Sequence, residues 1–116
     1  HLINIDGVRL VDELAVVNKE TMNGASHSPI LIKKLNESFV NVHAAPKNVA
    51  VPIGGTDAVS FTRRRIPAVT VIGMSAINYD FTYHTRNDIV DHIEPQSLEI
   101  VKNALIDFVE KWDNSI

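Results

Sequence analysis

A layered α/β fold is what this sequence predicts, on three observations. Apolar runs of strand length, the clearest being the β-branched stretch Ala68 to Ile72, alternate with helical stretches. Two of those helices, one after Ser28-Pro29 and one from Pro95, carry an apolar stripe that must be buried. A strand almost purely apolar, as Ala68 to Ile72 is, belongs in a sheet covered on both faces. At 116 residues there is room for one domain, since domains commonly run to about 100–150 residues.

The elements follow in order. His1 to Asp6 reads as a short apolar strand (Leu2, Ile3, Ile5) that stops at Asp6-Gly7, where glycine takes a turn conformation barred to other residues. Asp6 therefore stands at a strand's C-terminal end, where ligands gather in open α/β sheets. Leu14 to Val17 is a second strand bounded by polar residues, and Asn23-Gly24 marks the loop beyond it. Ser28 caps a helix with Pro29 at its first position, and Leu31, Leu35 and Phe39 recur at four-residue steps over about three turns. Ile32 and Val42 widen that stripe.

Asn48 to Pro52 is a brief strand. Gly54-Gly55-Thr56 turns it into a second helix from about Asp57 to Arg65, with Thr56 as the expected cap and Ile66-Pro67 as the stop. After the strand Ala68 to Ile72 comes a loop from Gly73 to Glu94, about 22 residues long, more than a compact domain usually carries without a functional reason. Pro95 opens the last helix, whose Leu98, Val101, Leu105, Phe108 and Trp112 are spaced three, four, three and four apart.

Composition excludes several function classes. With 45% hydrophobic and 22% charged residues and a net charge of −3, this is an ordinary globular sequence. No cysteine is present, which removes disulfides, thiolate metal ligands and cysteine nucleophiles. The basic run Arg63-Arg64-Arg65 lacks interleaved aromatics and falls where a helix ends, so complementing the helix dipole explains it and no nucleic-acid partner is expected. No apolar run approaches the ~20 residues that span a bilayer, and no signal peptide is visible. The sequence begins at His1 in mid-strand without an initiator methionine, so the expectation is that the native N-terminus has been removed; localisation stays open.

The residues that carry chemistry cluster in the long loop. In Tyr83-His84-Thr85-Arg86-Asn87-Asp88-Ile89-Val90-Asp91, His84 can offer a neutral imidazole nitrogen to zinc while Asp88 accepts from the other nitrogen and fixes the tautomer. A loop histidine taken alone is more often exposed or simply hydrogen-bonded. Asp6 has a similar ordinary reading as a turn cap. Strand-end acids and a loop histidine converging on one rim of a sheet, however, are the usual makings of an oxygen- and nitrogen-ligated zinc site.

Asp57 lies at a helix N-terminus, where the dipole accounts for it, and no lysine follows the glycine pair at P-loop spacing. Surface or capping roles suffice for His27, His43 and His92, and Ser26, Ser28 and Ser60 lack a nucleophile-elbow context.

Four motifs in order resemble the di-zinc aminopeptidase family, which includes aminopeptidase Y, the bacterial leucyl aminopeptidases and the more distant glutamate carboxypeptidase. They are Ile3-Asn4-Ile5-Asp6-Gly7; Gly54-Gly55-Thr56-Asp57-Ala58 with Phe61; Ile66-Pro67-Ala68; and Tyr83-His84-Thr85 with Asp88 and Asp91. The resemblance spans nearly the whole chain and matches the C-terminal part of that family's catalytic domain. It implies an α/β/α sandwich of the zinc-exopeptidase type, with residues 1–116 as one domain forming its C-terminal portion.

The resemblance further implies metal ligation by Asp6 and His84, each on one of two zinc ions, substrate positioning by Tyr83, and supporting roles behind the ligands for Asp57 and Asp88. The family's His-x-Asp motif, its bridging aspartate and its Glu-Glu pair, which includes the general base, lie upstream and are not in this sequence. Many members carry Ser-Asp-His where Thr56-Asp57-Ala58 stands, and threonine where Ile89 stands, a change that removes only a hydroxyl.

The expectation is therefore a fragment of a zinc aminopeptidase acting on peptide substrates, inactive by itself, and prone to pair with itself through an exposed sheet edge. The competing expectation is a non-catalytic protein-binding domain derived from the same fold, as in the transferrin receptor.

Overall fold

The computed structural model describes residues 1–52, 54–73 and 93–114. Among the described residues, five strands and three α-helices follow one another as β1 (Leu2–Asp6), β2 (Leu14–Glu20), β3 (Ala25–Ser26), α1 (Pro29–Asn41), β4 (Lys47–Val51), α2 (Ala58–Arg63), β5 (Ala68–Gly73) and α3 (Pro95–Asn114). Short 3₁₀ turns at Val11–Glu13 and Thr21–Asn23 bracket β2.

The strands form one mixed sheet. β5 lies between β1, which it pairs in parallel, and β2, which it pairs antiparallel. The other edge of β2 takes β4 in parallel, with a register shift between Val17 and Lys19, and the two-residue β3 pairs antiparallel with Lys19 and Glu20. Every residue of β5 is buried, as a run apolar but for Thr70 leads one to expect.

Strand alternation divides the core by sheet face. Leu14 and Val16 of β2 and Val69 and Val71 of β5 join Leu31, Leu35 and Phe39 of α1 and Val101, Ala104 and Phe108 of α3 in one cluster. Ala15, Val17 and Ile72 point the other way and pack with Val51. Thus α1 and α3 cover one face, while α2 packs over β5 and β1 on the other, giving the predicted α/β layers.

The helix α1 matches its prediction closely. The Ser28 hydroxyl accepts from the Leu31 amide at 3.3 Å, and Leu31, Leu35 and Phe39 are fully buried. It ends with His43 at φ 63°, a left-handed position usually held by glycine, while the Ala44 amide donates to the Phe39 carbonyl and the His43 amide to Val40. These two bonds satisfy carbonyls that a helix end leaves open. His43 thus closes a helix, as expected.

The elements also depart from the sequence reading. β2 runs three residues past Val17 to a fully buried Glu20, and α2 is confined to Ala58–Arg63. In α3 the buried line is Ser97, Val101, Ala104 and Phe108, with Leu105 and Trp112 packed beside it, and Leu98 is 49% exposed. The reason is that Ser97 carries its own partners into the core. Its hydroxyl shares its one proton between the Arg9 and Glu94 carbonyls, at 2.9 and 2.7 Å, so a polar residue occupies a position periodicity reserves for an apolar one.

Candidate functional site at the Asp6 rim

Asp6 closes β1 beside Ile72 of β5, on the face that α2 covers, and its side chain is exposed. Gly7 follows at φ 59° and turns the chain away. Its carbonyl crosses Gly73 so closely that a Cβ on Gly73 would stand 2.4 Å from it. A side chain at Gly73 would displace that backbone, and Asp6 with it.

The rim is fastened from a second direction. The amide of Glu94 donates to the Arg9 carbonyl at 2.8 Å, and its Oε1 accepts from the Val11 amide at 2.8 Å. The two described ends of the long loop, Gly73 and Glu94, therefore both touch the turn that leaves Asp6. Tyr83, His84, Asp88 and Asp91 belong to that loop and lie outside the described residues, as does His92.

Asp57 precedes α2 in helical conformation, exposed, with no side-chain capping bond. Thr56, the expected cap, does something else. Its hydroxyl donates to Glu20 Oε2 at 2.8 Å and lies 2.8 Å from the Thr70 hydroxyl, while its amide donates to Glu20 Oε1 at 2.5 Å. The cap prediction fails because Thr56 faces a buried carboxylate that competes for its hydroxyl.

His27, expected at the surface, is 3% exposed. Its Nε2 meets Glu20 Oε2 at 2.5 Å and its Nδ1 meets the Thr62 hydroxyl of α2 at 2.7 Å. The backbone explains the difference, since the His27 amide donates to Asn18 across β2 and holds the ring beneath α2. Nothing in the local sequence foretells this group, because Glu20 and Thr56 are 36 positions apart and His27 and Thr62 are 35 apart.

Arg63, at the end of α2 as expected, directs its guanidinium to the Asn23 carbonyl and Oδ1, both at 3.3 Å. Among the described residues no group of three or more His, Asp or Glu side chains is placed to hold a metal ion. Of the predicted ligand pair, Asp6 alone is described, and one carboxylate does not make a metal site.

Comparisons with known proteins agree with this architecture. Residues 1–109 match Peptidase_M28, peptidase family M28. Two crystal structures of LapA from Legionella pneumophila, one of them titled an aminopeptidase, superpose with TM-scores of 0.70 and 0.72 at 17% and 18% identity. Each covers 91% of this chain, whereas the chain spans only 30% and 29% of their lengths. No curated protein sequence matches the chain.

Proposed function

The chain belongs to peptidase family M28, and from that premise we propose that it is the C-terminal part of the catalytic domain of a zinc-dependent aminopeptidase. The observation that carries the reading is that both described ends of the loop bearing His84 lie against the Gly7–Val11 turn that leaves Asp6, Gly73 by close backbone approach and Glu94 by two hydrogen bonds. A loop that leaves and returns beside Asp6 is suited to bring a histidine to it.

In this reading Asp6 and His84 each hold one of two zinc ions, and Asp88 accepts from the second imidazole nitrogen of His84. Tyr83 positions the N-terminal end of a peptide substrate, and Asp57, carried at the start of α2, supports the site from behind. Zinc, when bound, supplies water acidified enough to attack a peptide carbonyl near neutral pH. The general base and the bridging carboxylate belong to parts of the family's domain that these residues do not contain. Two ligands without a bridging carboxylate cannot hold a metal pair, so the 116 residues alone are inactive.

The test is a zinc titration by calorimetry on this chain, on Asp6→Asn and on His84→Ala. Zinc binding weakened at least tenfold in both variants is the expected result. Equal binding by all three proteins removes Asp6 and His84 from the site. Binding by none of them means that ligation needs the rest of the peptidase, and the same variants are then compared in the longer protein. Chelator-sensitive release of an N-terminal residue by the 116 residues alone would refute their inactivity.

A further inference from the structure

On the face of the sheet that carries Asp6, a partly buried polar string runs from Asn4 of β1 to His27, the residue after β3. Asn4 Nδ2 lies 3.4 Å from the Thr70 hydroxyl, Thr70 lies 2.8 Å from Thr56, and Thr56 gives both its amide and its hydroxyl to Glu20. Glu20 meets His27, and His27 meets Thr62. Glu20, Thr70 and His27 are 0%, 0% and 3% exposed.

Donor and acceptor accounting assigns roles within it. Each threonine hydroxyl has one proton to give. Thr56 spends its proton on Glu20, so Thr70 donates to Thr56 and accepts from Asn4. Glu20 then receives the Thr56 amide, the Thr56 hydroxyl and His27 Nε2–H, the pattern of an ionised, acceptor-only carboxylate. A buried carboxylate without such partners would be strongly disfavoured, so an acid at position 20 is tolerable only with all three in place.

Two of the three donors come from one residue of the Gly54-Gly55-Thr56 turn. Gly54 takes φ 83°, and its carbonyl accepts from Asn23 Nδ2 at 2.9 Å, so the turn is tied down at both ends. Asp57 is the next residue.

We propose that Glu20 and His27 are positioning residues that clamp the Gly54-Gly55-Thr56 turn to the sheet and thereby place Asp57, and through Thr70 and Asn4 the strand ending in Asp6, at the rim. That this rim belongs to a metallopeptidase site rests on the function proposed above; the clamp itself does not. His27 donates to Glu20 and keeps its charge compensated, and Thr62 fixes the ring from α2.

The experiment is backbone NMR on the 116-residue chain, comparing wild type with Glu20→Gln. The amide keeps one acceptor oxygen but puts an NH2 donor in place of the other, so at least one of the Thr56 and His27 donors loses its acceptor and the clamp is weakened. The expected result is an upfield move of the Thr56 amide proton and shift changes concentrated at Gly54–Ala58, Thr70 and His27 and reaching Asn4–Asp6 through the Thr70 contact. The ratio of the Thr56 amide exchange rate to that of Leu35 in α1 is expected to rise at least tenfold. Unchanged turn resonances overturn the proposal, as does an exchange ratio that stays constant because the whole fold is loosened.

Should Glu20→Gln fail to fold, Thr56→Val deletes one hydroxyl and Thr56→Ser restores it. The clamp requires the turn shifts to appear in Val and revert in Ser, and equal spectra for the two contradict it. No metal enters these measurements. Their failure leaves the peptidase reading standing, and failure of the zinc titration leaves the clamp standing.

Discussion

At the scale of single residues, the site depends on positions where backbone meets backbone. Gly73 is the clearest, because a Cβ there would fall 2.4 Å from the Gly7 carbonyl oxygen, a backbone atom that cannot swing aside. Gly73→Ala should therefore cost about 1–3 kcal/mol, as forced overpacking does. It should also shift the amide resonances of Asp6 and Gly7, read by thermal denaturation and NMR; an unchanged midpoint would show that the turn yields freely. Glycine after Asp6 was legible in the sequence, since a strand that stops at Asp-Gly announces a turn. The need for Gly73 was not, because its partner is 66 positions away across a parallel strand pair. His27 shows the same limit. A histidine before a helix cap reads as surface, and only its meeting with Glu20 and Thr62 reverses that.

At the scale of elements, the two long helices differ in how faithfully periodicity reports burial. In α1 the four-residue steps Leu31, Leu35 and Phe39 are the buried line, with no polar residue competing for it except Ser38 at its margin. In α3 the same reasoning includes Leu98, which tertiary structure leaves half exposed in favour of Ser97. The helices meet each other through Asp107, which accepts from Asn41 of α1 and from Lys111 one turn on. The Lys111 hydrogen bond, then that of Asn41, holds the Asp107 carboxyl below its ordinary value. Burial predicts unequal costs for two leucines. Leu35→Ala should lose about 2–5 kcal/mol, as full-depth leucine truncations do, while Leu98→Ala should lose less than about 1 kcal/mol. Urea unfolding of both variants decides this, and equal losses would mean that α3 packs by its sequence stripe after all.

For the whole molecule, the mixed sheet leaves three strands with one partner each among the described residues. β1 pairs only with β5, and β4 and the two-residue β3 only with β2. Such edges recruit strands, and Ile5 at 48% exposure adds apolar surface to the β1 edge. The chain by itself should therefore associate as its concentration rises, and Ile5→Lys should weaken that association; strict monomer behaviour of the wild type by light scattering at high concentration would contradict it. The sequence by itself determined the layered class, the position of each helix and of every strand but the two-residue β3 to within a few residues, and the placement of Asp6 at a strand end. Local chemistry decides those features: branched apolar runs, Ser28-Pro29 and Pro95 at helix starts, Asp-Gly at a strand stop. Tertiary structure alone decided that β2 runs against β5, that Glu20 and His27 are buried under α2, and that Gly73 and Glu94 both return to the turn after Asp6. Those outcomes join residues dozens of positions apart, and a hydrogen bond or a close backbone crossing at that separation leaves no periodic trace in the chain that makes it.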